Sequence, residues 1–77
     1  MQLQEAIGGT IRQLRKERKL SLRQLTPYVS IGHLSDIERG NKEASTHILE
    51  LIAEGLNLST SQLLLEIYNY LEGDKNA

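Results

Sequence analysis

The stretch Ser30-Ile31-Gly32-His33-Leu34-Ser35-Asp36-Ile37-Glu38-Arg39-Gly40-Asn41 leaves this chain fewer choices than any other part of it. It opens on a good helix N-cap and sets Leu34 and Ile37 on one stripe of an otherwise polar segment. It carries an acid near its end and stops at a glycine. This reads as a short helix running to about Arg39. Just upstream, Ser21-Leu22-Arg23-Gln24-Leu25 reads as another, capped by Ser21, with Leu22 and Leu25 pointing inward. Pro27 stops that helix early, because the residue before a proline is pushed out of the helical region. Two short helices joined by a tight turn form the unit around which the rest must pack.

Three further helices are predicted. The first covers roughly residues 4–18, with Ile7, Ile11 and Leu14 at helical spacing and with Gly8 and Gly9 weakening its opening turns. Lys16-Glu17-Arg18-Lys19 ends it on cations, which suits the negative end of the helix dipole. The fourth starts near Ser45, carries Ile48, Leu49, Ile52 and Leu56, and ends at Gly55 to Asn57. The fifth opens on the capping-box pattern Ser59-Thr60-Ser61-Gln62 and runs through Leu63, Leu64, Leu65, Ile67, Tyr68, Tyr70 and Leu71.

Phe, Trp and Cys are absent from the 77 residues. A core of Leu and Ile suits packed helices better than a sheet, and there is no thiolate for a disulfide or a zinc site. The fold class is therefore all-α, and the expected organisation is a single domain over residues 1–77. Its core spans about 7–67, a C-terminal helix about 60–72, and a polar tail 73–77. Met1 and that tail lead us to expect a complete small protein. No secretory signal or membrane-spanning run is visible, so cytoplasmic is the default.

The net charge of −1 argues weakly against nucleic acid, but its distribution reverses the impression. Residues 10–42 hold eight cations against Glu17, Asp36 and Glu38, a balance of +5. Residues 43–77 hold six acids against Lys75, a balance of −5, and Glu5 supplies the remaining charge. Such a chain has one side for phosphates and another turned away from them. The two short helices then read as a helix-turn-helix, in which one helix is held against the duplex while the next offers side chains to base edges in the major groove.

At this point the chain resembles the phage-repressor-type helix-turn-helix regulators, the lambda and 434 repressor and Cro-like (XRE) family. The matching residues are Ile11-Arg12-Gln13-Leu14-Arg15, Leu20-Ser21-Leu22-Arg23-Gln24-Leu25 and Leu34-Ser35-Asp36-Ile37-Glu38-Arg39-Gly40. Val29 to Ser35 and Glu38 to Ser45 also resemble a subgroup that regulates Clp protease genes. The resemblance covers about residues 7–67. It implies a five-helix lambda-repressor-like DNA-binding domain, with the motif on helices 2 and 3, acting as a transcriptional regulator and most simply a repressor on a pseudo-palindromic operator. One departure stands out. Leu25 and Val29 are four positions apart where the family usually has about six, so the second helix must be shorter or the turn rebuilt.

By the same resemblance, Ser30, Ile31, Gly32, Ser35, Asp36 and Arg39 approach the bases, and a solvated helix face is the alternative for each. Ile31 could touch a thymine methyl and Asp36 could accept from a cytosine amino group. Ser30 and the free N–H groups beside it could hold a phosphate. Arg23, Gln24, Asn41, Lys42 and Thr46 are the other candidate phosphate contacts, with Arg12, Lys16, Arg18 and Lys19 behind them. Arg15 and Glu38 match an ion pair that locks the first helix to the third; a free arginine touching phosphate is the alternative. His33 reads as a packing residue or a phosphate or base contact, and His47 as a surface residue.

His33, Ser35 and Asp36 cannot converge as a catalytic triad, since neighbours on one helix do not face each other. No enzyme, cofactor, metal or small-molecule pocket is expected. The expected partners are duplex DNA and a second copy of the chain, with Leu64, Leu65, Tyr68, Tyr70 and Leu71 as candidates for a homodimer contact. Two other readings stay open: an antitoxin that also grips a toxin, and a protein-interaction adaptor that keeps the fold without DNA readout.

Overall fold

The computed structural model describes residues 1–75. Five helices and no strand are found among them: α1 (Leu3–Glu17), α2 (Leu22–Leu25), α3 (Ile31–Glu38), α4 (Thr46–Gly55) and α5 (Thr60–Lys75). Of the tail expected at 73–77, Gly73 to Lys75 continue α5, and the last two residues lie outside the described ones.

Local chemistry sets the helix starts. Ser21, Ser30 and Ser45 each accept a backbone N–H from three residues on, at 3.1, 3.2 and 3.2 Å. Ser59 and Gln62 satisfy each other's backbone N–H at the start of α5, at 3.1 and 2.9 Å, as the capping-box pattern predicts. The ends share a second device. After α1, α3 and α4 the chain turns through one residue of positive φ: Lys19 (57°), Gly40 (76°) and Asn57 (61°). The next N–H then reaches back to the helix: Leu20 to the Arg15 carbonyl at 3.0 Å, Asn41 to Asp36 at 2.9 Å, and Leu58 to Ala53 at 2.9 Å. Each is a Schellman closure that satisfies carbonyls the helix leaves over.

α2 is a single turn. Thr26 is extended (φ −160°, ψ 135°) ahead of Pro27, and its hydroxyl accepts the Tyr28 N–H at 3.2 Å. The missing residues of the motif have thus been taken from α2 and its turn. The core joins Ala6, Ile11 and Leu14 of α1 with Leu25, Leu34, Ile37, Ile52, Ala53, Leu56, Leu63 and Ile67, so every helix contributes. Ile7, Leu22, Ile48 and Leu49 sit at its margin, half-buried.

The glycines have reasons the helical pattern did not reveal. A Cβ at Gly8 would fall on the carbonyls of Ile37 and Glu38, so Gly8 is where α3 crosses α1 closely. Gly9 lies under the Tyr70 hydroxyl. Gly55 and Asn57 mark the end of α4 as expected, Gly55 as its last residue and Asn57 as the positive-φ stop, and Gly55 is also pressed against the Leu25 carbonyl.

Candidate nucleic-acid interface

Burial of Leu34 and Ile37 turns the opposite side of α3 outward, which carries Ile31, Gly32, Ser35, Asp36 and Arg39 by the helical repeat. What fixes that orientation is a clamp to α1. Arg15 Nε donates to Glu38 Oε2 at 2.7 Å and Nη2 donates to Oε1 at 3.0 Å, a two-pronged arrangement with fixed geometry. The third nitrogen, Nη1, donates to the Leu20 carbonyl at 2.7 Å. Both side chains are largely shielded, at 13% and 8% exposure. Hydrogen bonding to Glu38 raises the Arg15 pKa, outweighing the opposing effect of burial. With the guanidinium spent on Glu38 and a carbonyl, Arg15 is positioned as a scaffold group.

The other predicted residues divide by how free they are. Arg23, Ser30, Ile31, Gly32, Arg39, Asn41, Lys42 and Thr46 are exposed, while Ser35 and Asp36 are partly covered. Ser30 Oγ already caps α3, and Gln24 Oε1 accepts the Ser21 N–H at 2.9 Å, so each would engage a phosphate only in addition to a capping role. Lys42 Nζ lies 3.9 Å from Asp36 Oδ2, close enough to offset the charge of the one acid on the outward face. Arg12, Lys16 and Arg39 line one shallow groove beside the clamp, together with Glu5 and Glu38.

Arg18 is placed differently from the expectation. Its Nε donates to the Leu56 carbonyl at 3.0 Å and Nη1 to Leu14 at 3.3 Å, so it ties the end of α4 to α1 instead of standing free for phosphate. His33 is half-buried in a groove between α3 and α4, lined also by Tyr28, His47 and Ile48. Its Nε2 is buried without a hydrogen-bond partner in the structure. Tyr28, 75% exposed in the turn before α3, escaped the sequence reading. An aromatic directly after proline, where a turn should be polar, was the available signal.

The apolar band of α5 also divides. Leu64, Leu65 and Tyr68 are 48%, 58% and 58% exposed. Tyr70 and Leu71 are instead half-buried against the core, Tyr70 beneath α1 at Gly9. The acids Glu50 and Glu54 of α4 and Glu66 of α5 are exposed, whereas the cations cluster on α1, α2 and the end of α3. No group of three or more possible metal-binding side chains and no helix long and apolar enough to cross a membrane occurs among the described residues.

Known proteins share this arrangement. The chain is 36% identical over 66 residues to the transcriptional regulator ClgR of Mycobacterium tuberculosis, covering 83% of this chain and 59% of that protein. It is 38% identical over 61 residues to the competence pilus inhibition repressor of Acinetobacter baylyi, covering 77% and 56%. Among solved structures, the clp gene regulator ClgR from Corynebacterium glutamicum superposes with a TM-score of 0.84 at 32% identity, covering 99% of this chain and 85% of that one. The chain thus spans somewhat over half the length of the curated relatives it matches. The family model described as Helix-turn-helix matches residues 11–63, which takes in the clamp, both short helices and the start of α5, and the chain belongs to that family.

Proposed function

We propose that this chain is the DNA-gripping part of a transcriptional regulator, a repressor that acts by occupying its operator in the cytoplasm. The observation that carries the reading is the clamped, outward-turned face of α3, flanked by exposed cations on α1, α2 and the loop after α3. Arg23, Asn41, Lys42 and Thr46 would hold phosphates, and Ile31, Gly32, Ser35, Asp36 and Arg39 would meet base edges. No bond is made or broken; affinity comes from displaced counterions and specificity from the groove. The names of the relatives point the same way, since they are regulators and a repressor.

The exposed Leu64, Leu65 and Tyr68 on α5 support a second element of the reading, self-association into a homodimer. Two copies would double the phosphate contacts and match a pseudo-palindromic site. The test is selection of bound sequences from a random duplex library at moderate salt. An enriched inverted repeat, with half-sites about one helical turn apart, is the expected result. Binding without enrichment that vanishes as salt rises would favour the adaptor reading, to which the one-turn α2 lends some weight, and would redirect the search to a protein partner.

A further inference from the structure

Of the six glycines, four are explained by the chain's own packing: Gly8, Gly9 and Gly55 by close approach, Gly40 by its positive φ. Gly73 has open space around it but lies in the last turn of α5, where a poor helix former interrupts little. Gly32 is the exception. It is the second residue of the eight-residue α3, its φ lies outside the positive region, and nothing stands within 4 Å of where its Cβ would be. The fold would accept alanine there and gain helix propensity by it, since glycine is the poorest helix former after proline.

The position also sits within the outward face. On the helix surface it adjoins Ser35 and Asp36, and Ile31 precedes it, the one large hydrophobic side chain that α3 leaves exposed, at 41%. A dent next to an uncovered isoleucine fits a small apolar projection. The only apolar group on the major-groove edge of a base pair is the 5-methyl of thymine.

We propose that Gly32 is a specificity-determining position whose bare Cα, beside the Ile31 side chain, seats the 5-methyl group of a thymine in the bound sequence. The inference rests on the DNA-binding reading above and adds a base to it. Gly32 allows the helix backbone to come down onto the base edge, and Ile31 covers the methyl from the side. A Cβ at position 32 would hold the helix off the groove floor.

The experiment uses duplexes enriched by the library selection, resynthesised with deoxyuridine replacing thymidine one position at a time, a change that removes only the methyl. Affinity is measured for the parent chain and for Gly32→Ala, alongside a random-sequence duplex and a thermal melt. The parent should lose about fourfold in affinity at one thymine, the factor set by burying one methyl group. Gly32→Ala should melt higher than the parent, yet bind the enriched duplex about tenfold more weakly. It should also ignore the deoxyuridine change and keep its affinity for random sequence.

Indifference of the parent to every deoxyuridine overturns the proposal, as does a Gly32→Ala chain that binds as tightly and still responds to the methyl. An equal loss on all duplexes, random sequence included, assigns Gly32 to a phosphate instead and equally rejects it. Failure of the DNA-binding reading has a separate appearance: the library selection enriches no sequence and any duplex binding vanishes as salt rises, and the proposal then falls with it.

Discussion

α3 and α5 each leave one face uncovered, and the two faces are held in opposite ways. The outward face of α3 is mostly polar and bare at Gly32, and the far side of the helix is fixed by Leu34, Ile37, the close crossing at Gly8 and the two-pronged Arg15–Glu38 contact. The outward face of α5 shows Leu64, Leu65 and Tyr68 beside Glu66, and its helix is seated by Leu63 and Ile67 with Tyr70 and Leu71 alongside. Hydrogen bonding to base edges fails when donors and acceptors are misaligned, so a readout face needs a directional clamp. Burial of apolar area has no preferred angle and needs only seating.

The most direct way to break this contrast is Arg15→Ala. It leaves the Glu38 carboxylate shielded and unpaired, which should remove about 3 kcal/mol of stability. Thermal unfolding should show a midpoint lower by roughly 12 °C or more. Replacing Arg15 and Glu38 together with Met and Gln should restore part of the loss. A single variant as stable as the parent would mean that α3 is held by its apolar packing without need of the ion pair. Gly8→Ala comes next, at about 2 kcal/mol, because the added methyl meets the carbonyls of Ile37 and Glu38 and must displace α3 or α1. Here the sharper reading is sequence preference: a displaced α3 should lose discrimination between duplexes faster than it loses affinity.

Lys19→Gly acts on the scaffold beneath both faces. Lysine at φ 57° is strained, so glycine should raise stability by about 1 kcal/mol in denaturant unfolding without altering self-association. Leu64→Glu should have the smallest effect on the folded monomer, within about 0.5 kcal/mol. The same change should abolish self-association in sedimentation measurements. Unchanged sedimentation would remove the apolar face from the dimer reading.

The same contrast explains what could be read in advance. The caps at Ser21, Ser30, Ser45 and Ser59 and the stop at Gly40 depend on residues three or four positions away, and local sequence predicts them well. The orientation of α3 was accessible only through family resemblance, because Arg15 and Glu38 are 23 positions apart and no periodicity links them. The packing roles of Gly8 and Gly55 and the hydrogen bonds of Arg18 are not legible in the sequence for a related reason. Their roles are set by segments that arrive from elsewhere in the chain: the end of α3, Leu25 and the Leu56 carbonyl. Tyr70 and Leu71 resemble Leu64 and Leu65 in composition, and only the packing of α5 against the core tells the two pairs apart.

The division of charge, +5 over residues 10–42 and −5 over residues 43–77, has a kinetic consequence that a net value of −1 conceals. A molecule charged in this way turns in an external field before it touches anything. Near a polyanion at low ionic strength, many starting orientations are therefore rotated into the productive one during approach. The effect has a built-in range. At physiological ionic strength the screening length is about 8 Å, well below the 23 Å girth of the molecule, so alignment is confined to the last moments of encounter. Ion-exchange resins of either sign should retain the same near-neutral chain, one through the exposed cations of α1 and α2 and the other through Glu50, Glu54 and Glu66.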